Sequence, residues 1–279
     1  MDGITWNGPV IVTRRETDGE ADVVVENDFL RIVIAPGAGG AVTELTYKRG
    51  PEVTFIADKG AGVAGTGRFF VDAFQINDEG DCTLLTDVAF AAEIVEEGPD
   101  RVVITLVADL DGAHTGLRVE RTFTVGRGEC GFTLTRRVVY AGAGVARLWI
   151  GSASEQRPEN WRKDLKLCAG TGEARRDLVA LENQGGSIDW EIEDADVQWQ
   201  LMGQYGIGVV ARAVGVGPAA FRVRFPEIEG VPCQAQWLGG PTTIEPGESA
   251  ESETAVLVYQ GLREAGAMSA GRLAISAYG

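Results

Sequence analysis

The stretch "DRVVITLVADLDGAHTGLRVERTFTVGRGECGFTLTRRVVYAG", residues 100–142, limits the fold more than any other part of the chain. Apolar and polar residues alternate over 101–109, 116–125 and 131–140, and only "DGAHT" and "GRGEC" separate the runs. A period of two marks a strand with one buried face. Connections this short cannot carry a parallel crossover, so the three runs form an antiparallel meander.

Similar runs occupy 10–14, 22–27, 29–35, 41–48, 84–97, 145–151, 188–193, 196–201, 206–214, 219–226, 233–238 and 252–260. No long stretch carries the stripe of an amphipathic helix, so the chain is expected to be all-β. So many strands, with no proline- or serine-rich linker between them, fit one large antiparallel β-sandwich domain over 1–279, its core spanning about 10–260. Residues 262–279 read as a closing strand or a tail. The least regular region, 152–187, is expected to be a long excursion with a helical turn at 174–181, the kind of segment that carries binding groups.

Forty-one acidic against 25 basic side chains leave a net charge of −16. Such a chain repels phosphate backbones and anionic membrane surfaces, so neither nucleic acid nor membrane is an expected partner. No run approaches the roughly 20 apolar residues that span a bilayer. The opening "MDGITWNGPV" lacks the features of a signal peptide, and a soluble, cytoplasmic protein is the expectation. Cys82, Cys130, Cys168 and Cys233 are far apart, with no C-x-x-C pair and a single histidine. Buried free thiols are expected, rather than a metal site or disulfides. The glycines of "GAGVAGTG" (60–67) lack a P-loop lysine and a strand–turn–helix setting, and no cofactor is expected. "APGAGGAV" (35–42) reads in the same way as a hairpin corner whose glycines permit positive φ.

Three stretches, "VENDFLRIVIAPGAGGAVTEL" (25–45), "ERTFTVGRGECGFTLTRRVVYAG" (120–142) and "TTIEPGESAESETAVLVYQG" (242–261), together resemble the galactose mutarotase-like β-supersandwich. This is the fold of aldose 1-epimerases and of many carbohydrate-active accessory domains. The resemblance lies in the early strand, Pro-Gly-small, strand hairpin and in the Pro-Gly-Glu turn before the last long strand, and it covers about 25–260. It implies a sugar or oligosaccharide ligand on the concave face of the larger sheet. It also implies a glutamate base late in the chain and a histidine acid near the middle.

Glu227 in "RFPEIEGVP" precedes the Pro-Gly-Glu turn at a separation similar to that of the family's glutamate, with Glu229 as its neighbour. An exposed carboxylate beside a turn is the plainer reading of either. The only histidine, His114, falls in the "DGAHTG" hairpin tip and departs from the family pattern, so it reads as a solvated turn residue. The region where the family carries its histidine is "RLWIGSASEQRPENW" here, which offers Ser152, Ser154, Glu155 and Arg157. Mutarotation needs a base for the anomeric hydroxyl and an acid for the ring oxygen. Glu227 as base and Glu155 as an acid kept protonated by partial burial are the candidates.

"GTGR" resembles the family's sugar-binding arginine turn, with Arg68 as the counterpart and Asp72 and Gln75 following. Arg68, Phe70 and Asp72 on a strand would face one way, as a clamp for sugar hydroxyls or as a structural ion pair. Trp161 and Trp237 are candidate platforms for a sugar's C–H face, and core packing is the competing reading for each. Adjacent Arg136 and Arg137 must point to opposite sides, with Arg121 a neighbour of the inward one, which keeps acidic sugars open as ligands. Three functions remain: an aldose 1-epimerase-like isomerase, a non-catalytic carbohydrate-binding or assembly module, and a glycan lyase or hydrolase. No oligomeric state follows from the sequence.

Overall fold

The computed structural model describes residues 8–17, 20–49, 53–54, 68–77, 83–156, 166–169, 176–178, 188–194, 197–202, 207–214, 219–225 and 233–260. The first part of the chain forms β1 (Ile11–Thr17), β2 (Glu20–Glu26), β3 (Leu30–Ala35), β4 (Ala41–Tyr47) and β5 (Val53–Thr54). Then come β6 (Val71–Ile76), β7 (Thr83–Leu84), β8 (Ala91–Glu97), β9 (Arg101–Asp109), β10 (Leu117–Gly126) and β11 (Gly131–Tyr140). They are followed by β12 (Ala146–Gln156), β13 (Lys166–Ala169), β14 (Arg176–Leu178), β15 (Ile188–Asp194) and β16 (Val197–Met202). The last strands are β17 (Ile207–Val214), β18 (Ala219–Phe225), β19 (Cys233–Ile244) and β20 (Ser249–Gln260).

The protein is an all-β, antiparallel sandwich. β1 to β5 form a five-stranded meander, a second sheet has the order β14-β13-β16-β17-β20-β11-β10-β9-β8, and a third has the order β15-β18-β19-β12-β6-β7. Among the described residues the one helical element is a 3-10 turn, Gly112–His114. The expected meander is β9, β10 and β11, with inward Val119, Phe123, Leu134 and Val138 alternating with more exposed Glu120, Thr122, Thr135 and Arg137. Placing apolar side chains on one side at every second residue makes the shared inner face dry, and this drives the pairing. β20 closes the middle of the large sheet by pairing with β11 on one side and β17 on the other.

One apolar cluster joins all three sheets, from Val23 and Ile32 through Phe74 and Ile150 to Val119, Leu134 and Val256. Two polar devices fix the five-stranded sheet to the others. Asn27 is 3% exposed; its Nδ2 donates to the carbonyls of Gly126 (2.9 Å) and Glu129 (2.8 Å), and its Oδ1 accepts from Phe29 and Leu30 N–H. Val42 and Phe69 exchange backbone hydrogen bonds of 3.0 and 2.8 Å just before β6.

Several details differ from expectation, among them that β6 was not expected and that the run 84–97 is split into β7 and β8. The region 152–187 contains no helical turn at 176–178: Arg176–Leu178 is strand β14, paired with β13. β12 also runs to Gln156, five residues beyond the expected end at 151. His114 lies in the expected turn but is only 9% exposed, so it is packed rather than solvated.

A buried polar cluster between the sheets as the candidate site

β6 carries the decisive side chains because it is buried on both sides, with Val71, Asp72, Ala73 and Phe74 all enclosed. Even-numbered Asp72 and Phe74 point toward the large sheet, and there Asp72 meets two arginines. Its Oδ1 accepts from Arg136 Nε at 2.6 Å, and its Oδ2 lies 3.4 Å from Arg121 Nε. All three side chains are 0% exposed. Arg121 and Arg136 stand directly opposite each other in the β10–β11 ladder, and so share its inner face.

Each guanidinium is held further. Arg121 donates from Nη1 to Gly39 O (2.7 Å) and from Nη2 to Phe70 O (2.6 Å), and lies over the rings of Phe90 and Phe123. Arg136 Nη1 donates to Thr254 Oγ1 at 2.8 Å. Burial pushes the Arg121 guanidinium down to about 10, with the Asp72 carboxylate opposing the shift. Arg121 therefore stays charged at neutral pH. The "PGAGG" corner is part of this cluster: Gly39 and Gly40 have φ of +73° and +61°. A Cβ on Gly40 would sit 3.0 Å from Arg121 Nη1 and 2.8 Å from Leu106 Cδ1.

Phe70 is strained beside it. Its φ is +58°, unusual for an aromatic residue, and its N–H donates to Ser154 Oγ at 3.1 Å while its carbonyl receives Arg121. A conformation of this kind costs about 1–3 kcal/mol and persists only where the surroundings impose it. It also breaks the strand geometry that would have set Arg68, Phe70 and Asp72 in one line.

Among the described residues Arg136 Nη2, Ser252 Oγ and Trp237 Nε1 are buried without a hydrogen-bond partner, Asp72 Oδ2 and Arg121 Nε have only each other at 3.4 Å, and Arg68 Nε lies close by in sequence. Such groups are rare in folded proteins, and a concentration of them marks a place built for something other than packing. Cross-strand register sets Trp237 of β19 opposite Ser152 of β12, and Ser152 opposite Asp72 of β6, in one inward row. Ser252 of β20 stands opposite Arg136.

The sequence candidates distribute as follows. Arg68 is half-buried; its Nη1 donates to Thr86 O, and its carbonyl accepts the Glu155 N–H at 2.8 Å, so these two adjoin at one end of the β6–β12 pair. Asp72 pairs with Arg136 and Arg121 rather than with Arg68, and the clamp is thus replaced by an ion pair between sheets. Trp237 is 2% exposed and sits in the core. Gln75 is half-buried opposite Trp149, on the β6 side away from Asp72. It is roughly 20 Å along the strands from Glu155 at about 3.3 Å per residue. Arg157, Trp161, Glu227 and Glu229 lie outside the described residues.

The sequence reading missed Thr254, Ser252 and the Gly39 carbonyl as partners of the arginines. A serine and a threonine at inward positions of β20, otherwise apolar on that side, were the available signal. Among the described residues no group of three or more His, Cys, Asp or Glu could hold a metal. Cys130 is a free thiol, pushed up by burial. No helix among the described residues is long and apolar enough to cross a membrane.

Comparison of the three-sheet arrangement with solved structures identifies it. A galactose mutarotase-like protein from Clostridium acetobutylicum superposes with a TM-score of 0.70 over 91% of this chain and 99% of its own, at 9% identity. The chain has the galactose mutarotase-like fold. A galactose 1-epimerase from Lactobacillus acidophilus matches with a TM-score of 0.58, 10% identity, and coverage of 91% of this chain and 99% of that one. A 4-alpha-glucanotransferase from Thermococcus litoralis matches 90% of this chain with 40% of its own length, at 17% identity and a TM-score of 0.54. No protein-family model matches the sequence. No curated protein matches it either.

Proposed function

We propose that this protein binds a sugar where the Arg68–Glu155 junction meets the buried polar row of Asp72, Ser152 and Trp237. The observation that carries this reading is the half-buried Arg68 beside Glu155, its guanidinium Nε without a hydrogen-bond partner among the described residues. Donors held in place by a rigid sheet suit hydroxyl-rich ligands, since their hydrogen bonds need no reorganisation on binding. The fold's occurrence in a galactose 1-epimerase agrees with this ligand class.

As an isomerase, the protein would use Glu227 to take the anomeric proton and Glu155 to protonate the ring oxygen, while Arg68 and Arg157 hold hydroxyls and Trp161 offers a stacking face. Ring opening, rotation about C1–C2 and reclosure then exchange the anomers with no net proton uptake. Following anomer exchange of galactose, glucose and glucuronate by NMR tests this. Exchange faster than buffer, lost in Glu155→Gln and Glu227→Gln, is the expected result; buffer rates for every sugar overturn catalysis.

The second reading is a non-catalytic sugar-binding module. The location of His114 favours it: the only histidine belongs to the turn between β9 and β10, seven residues before Arg121, and β12 carries no histidine to serve as the proton donor of the resembled family. Calorimetry separates the two, because a module binds sugar without accelerating exchange. No heat of binding for any sugar overturns both readings.

A further inference from the structure

The cluster contains two guanidinium groups and one carboxylate, all fully buried. Among the described residues no other carboxylate reaches either arginine within ion-pair distance. The described residues therefore leave one positive charge without a carboxylate inside the sandwich, and an unpaired buried charge is among the costliest features a fold can carry. The location of the deficit is specific. Arg121 spends both terminal nitrogens on carbonyls, whereas Arg136 spends Nε on Asp72 and Nη1 on Thr254 and leaves Nη2 without a partner among the described residues. Directly across the ladder from Arg136 stands Ser252, 3% exposed, whose hydroxyl also lacks a partner among the described residues.

We propose that one monovalent anion sits beside Arg136, held by Arg136 Nη2 and Ser252 Oγ. An N–H of a cation and a neutral O–H on facing residues of one inner face suit a single negative charge: a halide ion or one carboxylate group. Asp72, Arg136 and the anion would then form a neutral unit with Arg121, and the inner faces could close without an orphaned charge. This inference does not depend on the sugar reading, since a halide would serve a protein that binds no carbohydrate.

The test is thermal unfolding of the full chain after dialysis into a buffer whose ionic strength is set by a bulky sulfonate. Chloride, bromide or D-glucuronate then replaces the sulfonate, with D-glucose as the neutral control. The expected result is a Tm that climbs by roughly 3 °C per tenfold rise in chloride or bromide above its Kd, or in D-glucuronate beyond whatever D-glucose gives through sugar binding alone. A halide response identifies a bound ion, and a response to glucuronate alone identifies a ligand carboxylate. Ser252→Ala, which removes only a small hydroxyl, is expected to weaken the anion's Kd about tenfold or more. Arg136→Gln abolishes the response where that variant folds. A Tm indifferent to all three anions, a glucuronate response no larger than that to glucose with none to halides, or an unchanged Kd in Ser252→Ala would overturn the proposal.

Discussion

Asp72 accepts a 2.6 Å hydrogen bond from Arg136 across the space between two sheets, with both side chains fully enclosed. The bond ties the six-stranded sheet to the nine-stranded one at a point where the same-face neighbours of Arg136 along β11, Leu134 and Val138, are apolar. Truncating one member of such a pair strands the other charge. Asp72→Ala is accordingly expected to lose about 3–5 kcal/mol of stability, measured by urea unfolding. Because it leaves two arginines facing each other, replacing Arg136 by Met in the same chain should recover part of the loss. A single-variant loss under about 1 kcal/mol would show that the pair does not hold the sheets together.

The glycine corner offers a paired comparison. Gly40 has positive φ and no room, whereas Gly144 has φ +80° with nothing within 4 Å of an added Cβ. Gly144→Ala should cost only the left-handed penalty of about 1–2 kcal/mol. Gly40→Ala should cost more, because Arg121 and Leu106 must also shift, and it should alter the near-UV signal of the surrounding aromatics. Equal losses would mean that the corner tolerates the methyl group.

The Asn27 side chain makes four hydrogen bonds, two within the β2–β3 turn and two that join it to the β10–β11 turn. Asn27→Ala leaves buried backbone groups unsatisfied, at about 1–3 kcal/mol each. A loss of at least about 3 kcal/mol in chemical unfolding is expected, and Asn27→Asp should recover only the Oδ1 half of the network.

Burial raises the Glu129 carboxyl above the ordinary glutamate range, against a smaller opposing effect of the Gly126 N–H it accepts. A carboxyl raised in the folded state binds protons more tightly there than in the unfolded chain. Its contribution to stability is therefore complete below the ordinary glutamate pKa and disappears as pH climbs through the raised value. Glu129→Gln keeps an acceptor for Gly126 and cannot titrate. Wild type should accordingly lose stability relative to this variant as pH rises from about 4 toward neutrality. Parallel stability curves for the two proteins across that range would refute the assignment.

How much of this was legible in the sequence depended on burial. β9, β10 and β11 were found within one residue at each end because each hides one face, and a hidden face writes a period of two into the chain. β6 was not found as a strand, since "VDAFQI" is enclosed on both sides at its first four residues and carries no alternation. The helical turn anticipated near 174–181 is instead partly strand β14, whose three residues are too few for any period to show. Side-chain alternation likewise determined that Arg136 and Arg137 diverge. The outcome is Arg136 in the core and Arg137 outside, pairing with Glu120 and Glu251.

What only the tertiary structure decided is which acid meets Arg136 and what remains unpaired. Asp72 is 64 residues away in sequence, Thr254 is 118 away, and Gly39 is 82 from Arg121. No local spacing encodes those distances, because they depend on the stacking of two sheets and on the register that sets Arg121 opposite Arg136. The sequence by itself determined an all-β chain of alternating strands with an inward arginine that needed a partner. Three-dimensional packing supplied one carboxylate for two guanidiniums, and the physical consequence is a buried positive charge that the chain's described residues do not neutralise.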